Sequence, residues 1–156
     1  MDEMDQFAEE IDKLIEQGRW DEARERIKHF VLKKVFGSEK FKPTAAKAIF
    51  DLNGVRVHVR HTWVSVRSNW WFDINPNTLR ADFELWLCGY PSLWYLVPVS
   101  AIRYMNEAPT AYPNTEKSGT TEVTVNEDND TCIFARNEPR LDVSRFRHGR
   151  LTNGGR

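Results

Sequence analysis

The spacing of apolar residues changes near residue 50, and this change limits the chain to folds that combine helices with a sheet. Before it, Phe7, Ile11 and Leu14 recur at the spacing of one helix face. After it, valine alternates with arginine or histidine over residues 55–60, which is typical of a strand with one buried face. The first part of the chain therefore predicts helices, and the middle predicts strands.

The first 37 residues predict a helical hairpin. Helical spacing covers 5–17 and 21–36. Gly18 and Gly37 follow the last periodic residue of each segment, where glycine commonly ends a helix. We expect the two helices to pack together through their apolar faces.

Residues 50–135 predict a mixed β-sheet of five to seven strands. The strand-like runs are 55–60, 63–67, 70–74, 82–88, 93–99, 121–125 and 131–135. The run 93–99 is nearly all apolar and predicts a central strand. Pro98 should lie at the end of that strand because proline cannot donate within a ladder. Short helices are expected after Pro43 and at 100–105.

These segments together predict a single α+β domain over residues 1–147. In it, the helical hairpin of residues 1–37 packs on the sheet core of residues 50–135. The last nine residues, 148–156, have little apolar surface to bury. They are predicted to form a mobile tail.

Composition indicates a cytoplasmic protein that folds without metal or disulfides. Six Trp and nine Phe supply large apolar surfaces for a core. Cys88 and Cys132 lie far apart and outside any CxxC pattern, which predicts neither a zinc site nor a disulfide framework. The acidic start differs from a signal peptide, and no apolar run approaches the roughly 20 residues that cross a bilayer. No membrane association is expected.

Charge is separated along the chain although the net charge is only −1. Residues 1–25 carry 10 acidic and 3 basic side chains, whereas residues 26–67 carry 10 basic and 2 acidic. One interpretation is a basic surface that faces a polyanion, with acidic surface elsewhere. The other is that the fold interleaves the blocks and leaves no patch.

A series of short motifs runs from Asp51 to Met105. In order they are Asp51-Leu52, Asn53-Gly54, Val57-His58-Val59-Arg60, Trp70-Trp71-Phe72, Ala81-Asp82-Phe83 and Trp94-Tyr95-Leu96-Val97-Pro98. This series resembles the PD-(D/E)XK, or restriction-endonuclease-like, nuclease fold. Residues 141–147 resemble a closing motif of some members. The resemblance implies a restriction-endonuclease-like core.

The resemblance also implies a catalytic position, which this chain has altered. Such nucleases hold Mg²⁺ with two carboxylates and follow the second with a lysine. When Asp51 is aligned with the first carboxylate, His58 and Arg60 occupy the other two positions. Histidine is a poor ligand for Mg²⁺, and arginine does not release its proton near neutral pH. A second register places Ser65 and Arg67 there instead.

The resemblance and the charge blocks lead to one main functional expectation. It is a DNA-binding, nucleic-acid-associated protein with a degenerate nuclease-like core, whose candidate catalytic positions are Asp51, His58 and Arg60. The candidate phosphate contacts are Lys33, Lys34, Lys40, Lys42, Arg56 and Arg67, with Arg60 on the same surface. Trp70 or Trp71 could stack on a base if exposed.

Two alternatives remain open at this point. The chain could be a non-enzymatic protein-interaction module, such as an accessory, immunity or inhibitor protein, whose acidic N-terminal hairpin binds a basic partner. It could also be an active metal-dependent DNA endonuclease. No cofactor is expected, except Mg²⁺ in the endonuclease case.

Overall fold

The computed structural model describes residues 2–37, 40–114 and 119–151, and its fold is of the predicted α+β class. The helices are α1 (Glu3–Glu16), α2 (Trp20–Val35) and α3 (Val99–Asn106). The first six strands are β1 (Lys42–Pro43), β2 (Ile49–Leu52), β3 (Val55–Thr62), β4 (Ser65–Val66), β5 (Asn69–Ile74) and β6 (Phe83–Cys88). The remaining strands are β7 (Trp94–Pro98), β8 (Tyr112–Pro113), β9 (Thr121–Asn126), β10 (Thr131–Ile133) and β11 (Leu141–Asp142). Short 3₁₀ turns cover Pro76–Thr78 and Ser144–Phe146.

The predicted helical hairpin is confirmed. Asp2 caps α1 by accepting a hydrogen bond from the backbone N–H of Asp5 at 2.7 Å, which satisfies one of the free donors at the helix start. Ile11 and Leu14 of α1 and Ile27 of α2 are buried, as their spacing predicts. The apolar faces of both helices meet one face of the sheet that contains β3.

The strands of the described residues form two sheets where the sequence predicts one. Sheet A has the order β1-β2-β3-β6-β7, in which β3 and β6 are parallel and the other neighbours are antiparallel. Sheet B has the order β11-β10-β9-β5-β4, with β8 also paired to β9, and its pairs are all antiparallel. Sheet A is mixed, as predicted, but it contains only the runs 55–60, 82–88 and 93–99 of the predicted sheet, together with β1 and β2. The strands of sheet B form a further layer that the alternation pattern alone could not separate from it.

Both faces of sheet A are buried, and successive residues of β7 divide between the two cores. Trp94 and Leu96 pack with α1 and α2. Tyr95 and Val97 pack with α3 and with sheet B, where Phe72 is one of the contacts. The run 93–99 is therefore nearly all apolar because the strand is buried on both of its faces. By pairing, β7 is an edge strand of sheet A and not a central one, and Pro98 ends it as predicted.

The ends of the sheet core differ from the predictions in two places. Lys42 and Pro43 form the edge strand β1, and turns follow Pro43 in place of the predicted helix. The first residues of the predicted tail contact the core, because the N–H of His148 donates to the Trp94 carbonyl and that of Leu151 to the Val35 carbonyl. The packed part of the chain therefore extends to residue 151, and residues 152–156 lie outside the described residues.

Two tight connections depend on glycines with positive φ. Gly54 follows Asn53 in the turn that joins β2 to β3, with φ values of 89° and 52°. Gly89 follows β6 with φ of 71°, and a Cβ placed there would lie 2.7 Å from the ring of Trp70. Gly54 is open to solvent on that side, with no atom within 4 Å of such a Cβ.

These two glycines allow backbone strain to be separated from packing. Gly54→Ala should lower the free energy of unfolding by about 1–2 kcal/mol, the cost of a left-handed conformation for a residue with a Cβ. Gly89→Ala should cost roughly a further 1–3 kcal/mol because the new methyl group displaces the Trp70 ring. Urea unfolding of both variants measures the difference, and equal losses would contradict the close approach of Trp70.

Candidate functional site

The parallel pairing of β3 with β6 brings the candidate catalytic residues His58 and Arg60 next to a buried carboxylate. In this register His58 lies beside Glu84, and Arg60 lies beside Trp86. Because side chains alternate along a strand, all four residues are on the face of sheet A opposite the helices. Glu84 is only 1% exposed.

Glu84 is surrounded by donors. Arg60 binds it with two nitrogens, Nε at 2.8 Å from Oε1 and Nη2 at 3.0 Å from Oε2. Trp86 donates its indole N–H to Oε1 at 3.0 Å. His58 Nδ1 lies 3.3 Å from Oε2, a close approach without the direction of a hydrogen bond. Both carboxylate oxygens are therefore engaged inside the protein.

The third nitrogen of Arg60 connects the two sheets. Arg60 Nη1 donates to the backbone carbonyl of Asp73 in β5 at 2.7 Å. The guanidinium thus binds a carboxylate in sheet A and a carbonyl in sheet B. The Nε–Nη2 edge of this guanidinium is occupied by Glu84 and is therefore not open to a bidentate contact with a phosphate.

The local charges keep Glu84 ionised. Burial alone would raise the pKa of Glu84, but the contacts from His58, Arg60 and Trp86 outweigh burial and hold that pKa below its usual range. A general acid at neutral pH needs a raised pKa. Glu84 therefore has the properties of a buried ion-pair partner and lacks those of a proton donor.

Asp51, the remaining candidate catalytic residue, is engaged separately. Its Oδ2 lies 3.3 Å from Arg56 Nε, and its Oδ1 accepts from the N–H of Gly54 at 3.1 Å. Asp82 accepts from the backbone N–H of Arg56 at 2.9 Å. Asp82 and Glu84, which share a strand face in the sequence, thus bind different partners.

These residues do not fit a Mg²⁺ site of the kind that the family resemblance implies. Such a site draws on carboxylate oxygens with free lone pairs directed to a common point. The carboxylate of Glu84 is neutralised by Arg60, and that of Asp51 is neutralised by Arg56. His58 contributes a nitrogen, which Mg²⁺ disfavours. No group of three His, Cys, Asp or Glu side chains with metal-site geometry occurs in the described part of the chain.

The predicted phosphate contacts lie on separate surfaces. Lys33 and Lys34 belong to α2, which covers one face of sheet A, whereas Arg56 and Arg60 point from the opposite face. Arg67 lies in the turn between β4 and β5, in sheet B. The prediction that Lys33, Lys34, Arg56 and Arg60 share one exposed face is therefore wrong. Sheet A lies between the two lysines and the two arginines.

The helical hairpin interleaves part of the charge. Glu3 of α1 lies 3.8 Å from Lys34, and Glu10 lies 3.8 Å from Arg26, so acidic and basic blocks meet across the two helices. Lys34 also lies over the ring of Phe30, 4.8 Å from its centroid. These side chains neutralise each other at the surface, which removes Lys34 from the unpaired cations.

A group of lysines remains unpaired at the edge of sheet A, and we refer to it as the basic edge. Its members are Lys40, Lys42 and Lys47, in β1 and the segments beside it. All three are exposed, and none forms an ion pair with another described residue. Lys33 is also exposed, but it lies on α2 in a groove that it shares with Glu3, Glu10 and Glu25. The rings of Phe36 and Phe41, 5.3 Å apart, hold the end of α2 against the start of β1 and so join the helix to this edge.

The adjacent tryptophans of β5 point in opposite directions, as the strand period requires. Trp70 faces inward, and its indole N–H donates to Glu127 Oε1 at 3.2 Å. Trp71 is 39% exposed on the outer face of sheet B. Its ring is open to solvent, but it lies on a different sheet from the basic edge.

Two features of this geometry were missed in the sequence. Glu84 is not among the candidate site residues of the sequence, although its position between the apolar residues of β6 signals burial with a partner. Lys47 is not among the candidate phosphate contacts. Its exposure depends on the turns that replace the predicted helix after Pro43.

Comparison with known proteins identifies no relative. No protein family, curated protein or solved structure matches this chain. None of the helices in the described part of the chain combines the length and apolar character that crossing a lipid bilayer requires.

The buried carboxylate can be tested by substitution. Glu84→Gln should lower the free energy of unfolding by about 3–5 kcal/mol because it leaves the Arg60 charge buried without a counterion. Glu138→Gln, at an exposed position, should stay within about 0.5 kcal/mol of the unmodified protein. Chemical denaturation at pH 7 measures both.

The lowered pKa of Glu84 determines how the stability contributed by the Glu84–Arg60 pair depends on pH. An acid with a lowered pKa in the folded state stabilises that state above its unfolded pKa, about 4.3, and this contribution is lost as pH falls through the folded pKa. Stability should therefore decrease in acid more steeply for the unmodified protein than for Glu84→Gln. Parallel curves below pH 4.3 would contradict an ionised Glu84.

Proposed function

We propose that the protein binds nucleic acid through its phosphate backbone and does not cleave it. The observation that carries the proposal is the basic edge, where Lys40, Lys42 and Lys47 lie in solvent without ion-pair partners among the described residues. Cations that neutralise phosphates release counterions, which is the main source of sequence-independent affinity. Lysine suits this role because its long side chain adapts to the position of a phosphate.

The part of the proposal that concerns cleavage is supported by the contacts around β3. The residues aligned with the nuclease motif are Asp51, His58 and Arg60, and Asp51 and Arg60 form ion pairs within the protein. His58 faces Glu84. A nuclease-like core with these substitutions has lost the free carboxylates that position a metal-activated water. Its remaining role would be structural.

Binding by the basic edge predicts a change in salt dependence. Lys40→Gln together with Lys42→Gln should weaken binding to duplex DNA and reduce the slope of log affinity against log salt by about 1.8, since each phosphate contact contributes about 0.9. Fluorescence anisotropy with a labelled duplex at several salt concentrations measures the slope.

A matched control removes two exposed arginines elsewhere. Arg136→Gln with Arg140→Gln changes the net charge equally but lies after β10, in the connection to β11. It should leave the slope nearly unchanged. Equal effects of the two double variants would show attraction by net charge alone, without a defined binding edge.

Absence of cleavage is a separate prediction. Purified protein incubated with plasmid, linear duplex and single-stranded DNA in Mg²⁺ or Mn²⁺ should leave every substrate intact, because the ligands of a metal site are neutralised. Asp51→Ala serves as the control in the same assay. Cleavage that disappears in Asp51→Ala would overturn the degenerate-core proposal in favour of an active endonuclease.

A second candidate function is supported by α1. Asp5, Glu9, Asp12 and Glu16 lie along one exposed face of this helix, away from the pairs that α1 forms with α2. A row of carboxylates at helical spacing would suit a basic protein partner. Failure of the unmodified protein to bind DNA even at low salt would favour this protein-interaction function.

A further inference from the structure

A cavity of about 220 Å³ lies between α2 and sheet A, apart from the basic edge and from Glu84. Arg24 and Lys28 line it from α2, Val59 and His61 from β3, and Leu87 from β6. His61 and Leu87 are neighbours in the parallel pairing of β3 with β6. Two cations, one imidazole and two apolar walls therefore surround the same small volume.

Two buried polar atoms at this cavity have no hydrogen-bond partner among the described residues. They are Nε of Arg24 and Nδ1 of His61. A buried polar atom without a partner is rare because it loses its hydration without compensation. Their occurrence on two elements that line one cavity indicates a binding site for a ligand with matching groups.

The hydrogen bond of His61 Nε2 determines whether Nδ1 of the same ring is a donor or an acceptor in the cavity. Nε2 lies 2.9 Å from the carbonyl oxygen of Gly89, which can only accept, so Nε2 carries the hydrogen. Burial, together with the nearby charge of Arg24, lowers the pKa of His61 to about 4 despite the Gly89 contact. The ring is neutral at pH 7, and Nδ1 is an acceptor.

The remaining polar groups at the cavity are donors. Arg24 Nε carries an N–H, while Arg24 Nη1 lies 3.7 Å from Asp21 and the Lys28 ammonium lies 2.8 Å from Glu25. A ligand that satisfies the two unpartnered atoms needs an acceptor oxygen for Arg24 Nε and one O–H for His61 Nδ1. A carboxylate or a sulfate at neutral pH has no O–H, whereas a hydrogen phosphate has both kinds of oxygen.

We propose that this cavity binds a phosphate group that retains one proton, with its ionised oxygens on Arg24 and Lys28 and its P–OH donating to His61 Nδ1. The group can come from free inorganic phosphate or from a singly protonated phosphate monoester, such as the end of a nucleic acid. The binding uses no residue of the basic edge. It therefore stands independently of the proposed nucleic-acid binding.

Selectivity between two similar oxyanions tests the proposal most directly. Inorganic phosphate and sulfate are titrated separately into the full chain at pH 7, with the His61 imidazole resonances followed by NMR. Phosphate should bind roughly tenfold or more tightly than sulfate, because bound sulfate leaves Nδ1 without a donor. Equal affinities for the two ions, or no saturable phosphate binding, would overturn it.

Three variants assign the binding to these residues. Arg24→Gln should weaken phosphate binding roughly tenfold or more, since it removes a charged donor. Arg26→Gln, on the same helix but outside the cavity, should leave it unchanged. His61→Leu should remove the preference for phosphate over sulfate. An unchanged affinity in Arg24→Gln, or a preference retained in a folded His61→Leu, would contradict the assignment.

A competition arm distinguishes the two sources of the phosphate. A short oligonucleotide with a 5′-phosphate and the same oligonucleotide with a 5′-hydroxyl are added at pH 5.5, where the monoester retains its proton, since its second pKa is about 6. Displacement of inorganic phosphate by the phosphorylated form alone identifies a terminal phosphate as a ligand. If neither oligonucleotide displaces inorganic phosphate, the ligand is free phosphate. If both displace it equally, the site does not recognise the P–OH group.

Discussion

Burial of both faces of sheet A is the constraint on which the rest of the structure depends. The helical hairpin covers one face and sheet B with α3 covers the other, so β6 and β7 carry large apolar side chains in both directions. A carboxylate within such a strand must be paired, since an isolated buried charge costs far more than one hydrogen bond returns. Glu84 meets this condition through Arg60 and Trp86, which come from the same two strands that the parallel pairing joins.

The pairing that makes this burial possible also determines what the candidate catalytic residue Arg60 can do. Arg60 uses two nitrogens on Glu84 and its third on the carbonyl of Asp73, so it connects sheet A to sheet B. Arg60 therefore holds the two sheets together as a packed core side chain would, but through directional hydrogen bonds. A bidentate contact of a phosphate with the Nε–Nη2 edge would require this edge to leave Glu84, which would then be an unpaired buried charge. Stability of the core and catalysis at this position are therefore in conflict.

Local patterns in the sequence predicted the helical hairpin and the longer strands from β3 to β10, but neither the strands β1 and β2 nor the strand partners. The helical hairpin and the turn at Asn53 follow from spacing and from residue types that act within a few positions. The contact of Arg60 with Glu84 spans 24 residues and depends on a parallel register, which no local signal encodes. The strand 93–99 illustrates the same limit. Its composition follows from the covering of both faces. Hydrogen-bonded neighbours are a separate property: β7 pairs with one strand, β6, and among the described residues its other edge bonds only to the segment of Arg147 and His148.

The distribution of charge shows how the fold converts a pattern along the chain into separate surfaces. Where α1 and α2 pack, acidic and basic blocks meet as ion pairs, and such exposed pairs contribute little to stability. The lysines of the basic edge have no such partners because β1 is a two-residue edge strand beside a turn. Lysine and proline in a short edge strand also prevent pairing with a second sheet, since they offer few backbone donors and repel a like edge. The feature that keeps this edge from aggregating thus leaves its cations in solvent, where a polyanion can reach them without disturbing the core.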